Sequence, residues 1–129
     1  MKIVIIGMGE VGCYVAKVLT KAGHDVVAVD TSSEKLEKVS ERMDVATVNG
    51  YGASARVLRQ AQVHEADLVV GCTDNDEINL IAALAAKRLG AGRTVARLQS
   101  SVYEEDNDDD GLHYGMLGID LVVNAEVLV

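Results

Sequence analysis

Six short runs of aliphatic and β-branched residues recur along the chain, separated by polar residues and glycine: KIVII (2–6), HDVVAVD (24–30), DVATV (44–48), ADLVVGC (66–72), RTVARL (93–98) and IDLVV (119–123). Each run is continuous rather than alternating, the pattern of a strand covered on both faces, so each predicts a buried parallel strand. Between the runs the apolar spacing changes to the helical period. In NDEINLIAALAAKRLG, residues Ile78, Ile81, Leu84, Ala85 and Leu89 fall on one stripe, which predicts a helix laid against the sheet by that stripe. Its ends agree. Asp74 with Glu77 reads as a capping box, Lys87 and Arg88 complement the last turn, and Gly90 supplies the left-handed stop. Thr31 with Glu34 gives a second capping box ahead of EKLEKVSERM.

Strand and helix alternate in two β-α-β-α-β halves. Right-handed crossovers then predict an α/β fold, a doubly wound parallel six-stranded sheet with strand order 3-2-1-4-5-6. The fifth crossover, SSVYEEDNDDDGLHYGMLG, is less regular: its acidic run and Gly111, Gly115 and Gly118 predict a short or broken helix. The sequence stops at NAEVLV, directly after the sixth strand and without a closing helix, as an excised part of a longer protein would. The intact mass of the native product tests that expectation.

The first strand-to-helix junction carries the chemistry. In IIGMGEVG, Gly7, Gly9 and Gly12 form G-x-G-x-x-G: the first glycine permits the tight turn, the second lets a pyrophosphate approach the backbone, and the third brings helix close to strand. The amides of Met8, Gly9, Glu10 and Val11 then face an anion at a helix N-terminus. Glycine-rich turns also serve packing alone, but Asp30 ends the second strand eighteen residues after Gly12, where a carboxylate accepts from both hydroxyls of a ribose. Asp30 repels a 2′-phosphate and no arginine follows it closely, which favours NAD(H) or an adenine nucleotide over NADP(H). The Rossmann-like arrangement brings Asn49-Gly50, Thr73-Asp74 and Arg97 to the same crevice, outside the carboxyl ends of the strands. Thr73 is read as a donor to a ribose or phosphate oxygen and Arg97 as an offset to phosphate charge. The plainer readings are that Thr73 and Asp74 cap the next helix, the role favoured for Asp74, and that Arg97 pairs with a local carboxylate.

Length and composition narrow the function. With 129 residues the chain reads as one domain, 1–129, too short to add a substrate-binding domain of its own. No apolar run approaches the roughly 18 residues of a membrane span, and the start lacks the basic and long apolar regions of a signal peptide, so a cytoplasmic location is expected. Cys13 and Cys72 have neither a CxxC nor a Cys/His neighbour and read as reduced, small apolar side chains. Of twenty acidic residues, six lie in EEDNDDD at 104–110; the other fourteen face twelve bases, leaving the rest near −2. There is no basic stripe with interleaved aromatics, which argues against a nucleic-acid partner. Asp106, Asp108, Asp110 and Gly111 match the first half of an EF-hand loop, but Leu117 stands where its bidentate Glu belongs, so a solvated acidic loop is the expectation.

Hydride transfer also needs a group that polarises the substrate and exchanges a proton. Tyr14 and Lys17 are three apart, not the four of Tyr-x-x-x-Lys, and lie on the first helix. His24 and His64 precede strands two and four, at the edge away from the crevice, and His113 lies in the irregular region. No acid/base pair emerges.

The combination of MKIVIIGMGEVG, VVAVD, ATVNGYGAS, ADLVVGCTDNDEINLIAALAAK, TVARLQSSVY and LGIDLVVNAE resembles, over nearly the whole chain, the amino-terminal nucleotide-binding domain of TrkA-type potassium-uptake regulators, the TrkA-N or RCK/KTN group. The resemblance implies a cytoplasmic regulatory subunit, peripheral to the inner face of the cell membrane, that performs no turnover. It further implies binding of NAD or NADH, or alternatively ATP/ADP, homo-oligomers (a dimer or a ring), and control of a membrane potassium transporter or channel subunit through ligand-dependent conformational change. The contacts it implies are Gly7 to Val11, Asp30, Thr73, Asp74 and Arg97. Asn49-Gly50 stands where many relatives carry Gly-Asp, and the acidic stretch replaces what is usually a helix. The alternative function is the isolated cofactor domain of an NAD-dependent oxidoreductase, with its catalytic residues elsewhere.

Overall fold

Strand β1, Lys2–Ile6, is the centre from which the sheet grows. In the structure, a computed structural model that describes residues 1–100 and 119–124, it pairs in parallel with β2 (Asp25–Asp30) on one side and β4 (Leu68–Gly71) on the other. Beyond β2 lies β3 (Ala46–Asn49), and beyond β4 lie β5 (Arg93–Leu98) and β6 (Leu121–Asn124). The order β3-β2-β1-β4-β5-β6 is the doubly wound topology predicted from the alternation of strand and helix patterns.

Successive side chains of a strand leave opposite faces, so each central strand supplies two cores. Ile3, Ile5, Val26 and Ala28 pack with α1 (Glu10–Lys21) and α2 (Ser33–Arg42), joined by Met8, Leu36 and Val39. Val4, Ile6, Val27, Val29 and Val69 pack on the other face with α3 (Ala55–Gln60) and α4 (Asp76–Leu89). Burying each such side chain contributes about 1.5–3 kcal/mol, which is why the polar residues of β1 and β2, Lys2, Asp25 and Asp30, stand only at the strand ends.

The remaining sequence readings need correction in three places. Strand β3 is mostly exposed rather than buried, because it is an edge strand that pairs only with β2. Both caps sit one residue later than expected: Ser32 Oγ accepts from the Lys35 amide and Asn75 Oδ1 from the Ile78 amide, at 3.2 and 3.0 Å. Thr31 and Asp74 are therefore not N-caps. On α4 the buried face is Asn79, Ala82, Ala83 and Ala86, while Ile81 of the expected apolar stripe is 49% exposed; Ala85 and Leu89 pack at the margin. Close approach explains this. A Cβ at Gly71 would lie 3.0 Å from the Asn79 Cα, so α4 rides so near β4 that only small side chains fit beneath it. The 101–118 crossover, with its expected broken helix and acidic loop, lies outside the described residues.

Candidate functional site

The glycine turn is held in shape by the strands on both sides of it. Gly7 has φ +101°, and a Cβ there would stand 2.8 Å from the Thr73 amide nitrogen. At Gly12 a Cβ would fall on the Gly7 carbonyl oxygen, so the helix starts against the turn only because both positions lack side chains. Gly9 differs: its φ is ordinary, −75°, and a Cβ there would meet no protein atom within 4 Å. A side chain at this position would point into open space. Gly9 caps α1 without any side chain, and the amides of Glu10 and Val11 behind it have no acceptor among the described residues. The first turn of α1 thus presents backbone N–H groups toward the crevice.

Asp30 ends β2 beside this turn. Its Oδ2 accepts the Met8 amide at 2.7 Å and its Oδ1 accepts the Ser32 amide at 2.8 Å. Of the four amides expected to face an anion, Met8 is therefore already engaged by Asp30. The carboxylate ties the glycine turn to the start of α2, and each oxygen retains a lone pair. Asn49, at the end of β3, closes this side: its Nδ2 donates to the carbonyls of Asp30 and Thr31 at 3.2 and 3.1 Å.

On the far side of β1 the hub is Asn79, which is fully buried. Its Oδ1 accepts from the Thr73 amide at 2.9 Å and the Thr73 hydroxyl at 2.7 Å, while its Nδ2 donates to the carbonyls of Thr73 and Arg97 at 3.0 and 2.7 Å. The one hydroxyl proton of Thr73 thus points to Asn79, with the Asn75 carbonyl at 3.1 Å as its only other acceptor. The same oxygen accepts the Asn75 amide at 3.2 Å, so the Thr73 hydroxyl is engaged in this loop both as donor and as acceptor. Asp76, in the first turn of α4, accepts the amides of Gln99 and Ser100 at 2.8 and 2.9 Å and so fixes the end of β5 against the same loop.

Arg97 forms no ion pair among the described residues. One terminal nitrogen donates to the Thr73 carbonyl at 3.3 Å, and Nε is enclosed with no acceptor among the described residues. Of the two sequence readings, pairing with a local carboxylate is not what the described residues do. Cys72, next to it, is buried; desolvation pushes its thiol up to about 11 against the opposing pull of Arg97.

These parts surround a single crevice of about 430 Å³ that crosses the C-terminal ends of β1, β2, β4 and β5, between the turn and the loop after β4. Gly7, Gly9, Glu10, Val11, Asp30, Thr73, Asp74 and Arg97 all line it. Met8 contributes through its backbone, its side chain being packed beneath, and Gly12 serves the packing of α1. Sequence reasoning missed Lys35, Tyr51 and Asn79. Lys35 and Tyr51 line the crevice near Asp30. The signal for Tyr51 was present in its place directly after Asn49-Gly50; for Lys35 it lay in the spacing of five residues from Asp30. Asn79 sits in an apolar helical run, where a lone amide marks a satisfied buried polar group. Among the described residues no group of three or more His, Cys, Asp or Glu side chains is placed to hold a metal ion, and the 106–111 motif lies outside them.

A doubly wound parallel sheet with a glycine turn after its first strand and a carboxylate ending its second defines a Rossmann-like α/β module. The chain belongs to the TrkA-N domain family, whose model matches residues 3–125. It is 43% identical over 103 residues to a Trk system potassium uptake protein TrkA homolog of Archaeoglobus fulgidus, covering 80% of this chain and 23% of that protein. A second relative, from Methanosarcina mazei, is 34% identical over 95% of this chain and 26% of its own length. The chain thus spans about a quarter of the length of these curated relatives. In fold it is similar to the TrkA-N domain of the inner membrane protein ybaL from Escherichia coli, with a TM-score of 0.82 and 20% identity over 98% of this chain and 89% of that one. It is also similar to a GsuK channel bound to NAD, with a TM-score of 0.76 and 20% identity over 95% of this chain and 21% of the channel.

Proposed function

We propose that residues 1–129 form one nucleotide-sensing domain of a regulatory subunit of a potassium uptake system, which binds NAD(H) or ATP/ADP in the crevice and carries out no chemical turnover. The observation that supports it most is the cradle at Gly9: a helix N-terminus with bare amides, empty of protein, next to a carboxylate already tied to the same turn. In this reading the amides from Gly9 to Val11 hold phosphate, Asp30 accepts from the ribose, and Thr73, Asp74 and Arg97 hold the rest of the ligand. When bound, the nucleotide supplies charge and contact area. The names of the potassium uptake relatives support the transport context, and the NAD of the GsuK channel supports the ligand class.

Regulation follows if two nucleotides bind two arrangements of an assembly unequally, since only a difference in affinity shifts a population. The assembly in this reading is a homodimer or ring docked on the cytoplasmic side of a membrane potassium transporter or channel subunit. Among the described residues no helix is long and apolar enough to cross a membrane, which fits a peripheral role.

The test is a thermal-shift titration with NAD, NADH, ATP, ADP and NADP, since a ligand of the native state raises the transition temperature. The expected result is a shift with NAD(H) or ATP/ADP, loss of most of it in Asp30→Ala, and recovery of NADH unchanged. Consumption of NADH with a small carbonyl compound would instead identify a dehydrogenase module.

A further inference from the structure

A groove of about 550 Å³ lies between the later turns of α1 and the bend that leads from α2 into β3, and it shares no lining residue with the crevice. Tyr14, Lys17 and Lys21, three and four residues apart, stand on one flank of α1 and form one wall. Cys13 and Met43 line the groove while packing against the core beneath α1, which makes its inner part apolar. Tyr14 is 69% exposed and Val18, one turn on, 46%, so this helix leaves an aromatic and an aliphatic side chain toward solvent.

The rim is basic. Lys17, Lys21 and Arg42 are exposed, and none makes an ion pair among the described residues. Asp44 is the one acid in the lining, so three cations against one carboxylate leave +2. The chain itself carries the complement. SVYEEDNDDDGL at 101–112 places six acids directly after Val102 and Tyr103, an acidic run for the rim beside apolar side chains for the interior. Such a block of like charge repels itself and is relieved by opposite charge, the behaviour of an interaction segment. Cys13 to Lys21 rises about 12 Å along the helix, a length that about four extended residues cover, so the run is long enough for the groove wall. It joins β5 to β6 at one edge of the sheet, whereas the groove leads into β3 at the other, about 24 Å away across five strand spacings. The matching segment therefore comes from a neighbouring molecule.

We propose that the groove between α1 and the α2–β3 bend binds the acidic segment 104–110 of a second copy of this chain. Groove and segment are different surfaces, so the contact is heterologous and links copies either reciprocally in a pair or in series. It requires no nucleotide and stands apart from the reading of the crevice.

The experiment is sedimentation velocity of the 129-residue chain without nucleotide, over a range of protein concentrations at about 50 mM and about 500 mM salt. Self-association is expected at low salt and should weaken about tenfold or more at high salt, where charges are screened beyond a few ångströms. Lys17→Gln with Lys21→Gln should weaken it about tenfold, whereas Lys17→Arg with Lys21→Arg should stay within about twofold of the wild type. Asp108→Asn, Asp109→Asn and Asp110→Asn together should weaken it to a similar degree from the other side of the contact. In a mixture of ordinary and isotope-labelled chains, a zero-length carbodiimide should join Lys17 or Lys21 of one kind to an acid of 104–110 of the other. A chain that is monomeric at every concentration, self-association unchanged by the Gln and Asn substitutions, or lysine-to-acid links confined to one isotope would overturn the proposal.

Discussion

Asn79 grips Thr73 at both ends of its amide: two donors of Thr73 meet Oδ1 at 2.9 and 2.7 Å, and Nδ2 returns a hydrogen bond to the Thr73 carbonyl at 3.0 Å. A fourth bond reaches the Arg97 carbonyl at 2.7 Å, so one buried side chain joins the loop after β4 to the end of β5. Truncation leaves several buried partners unsatisfied. Asn79→Ala is expected to lower stability by about 2–4 kcal/mol. A urea midpoint within error of the wild type would disprove the hub.

The glycines of the turn separate stability from binding. Gly12→Ala drives a methyl group into the Gly7 carbonyl and should cost about 2–3 kcal/mol in chemical unfolding. Gly9→Ala meets no protein atom and should leave the unfolding midpoint nearly unchanged. Its methyl group fills the cradle, however, and nucleotide affinity should fall about tenfold. Equal effects of the two substitutions on unfolding would contradict the geometry.

Cys72 supplies a pH prediction. Its thiol is pushed up to about 11 from an ordinary value of 9.0, first by burial and in spite of Arg97. A raised value means the native state holds the proton more tightly than the unfolded one, so this contribution is fully present below pH 9.0 and is lost as pH rises toward about 11. At pH 8 only about one thiol in a thousand is ionised, so alkylation of Cys72 in the native chain should run at least about a hundredfold slower than in urea. Mass-resolved labelling rates decide the matter.

Asp120 titrates in the opposite sense. The Lys87 ammonium, at 2.9 Å, and the Thr94 amide, at 2.8 Å, hold its carboxyl below the usual range. The stability it contributes is present above the ordinary carboxylate value and is lost as pH falls through its lowered one. With the aspartate side chain 39% exposed, solvent screening keeps the pair under about 1 kcal/mol. Asp120→Asn should therefore lower the neutral-pH unfolding midpoint slightly and flatten its acid limb between about pH 5 and 2.

Strand order and the crevice were legible because continuous apolar runs report burial on two faces, and because G-x-G-x-x-G followed by Asp30 has a geometric reason for its spacing. Side-chain direction was less legible. The stripe Ile78, Ile81, Leu84, Ala85 and Leu89 follows from helical spacing, whereas the helix buries three alanines and one amide, with Ala85 and Leu89 packed at the margin, because β4 lies so close at Gly71. Hydroxyl polarity at Thr73 was out of reach for a different reason: it depends on Asn79, six residues away and a full helical turn in, whose orientation only the folded loop determines. Caps slipped by one position at Thr31/Ser32 and Asp74/Asn75 because adjacent polar residues share the same propensity, and backbone register selects between them.

The Asp30 carboxylate, clasping the Met8 and Ser32 amides, has a kinetic corollary. Under the proposed nucleotide-binding reading, a phosphate arriving at the turn meets a loop held by these bonds, so the on-rate would be set by diffusion and charge. Under the same reading, discrimination among ligands would reside in how long each one stays rather than in how fast it arrives.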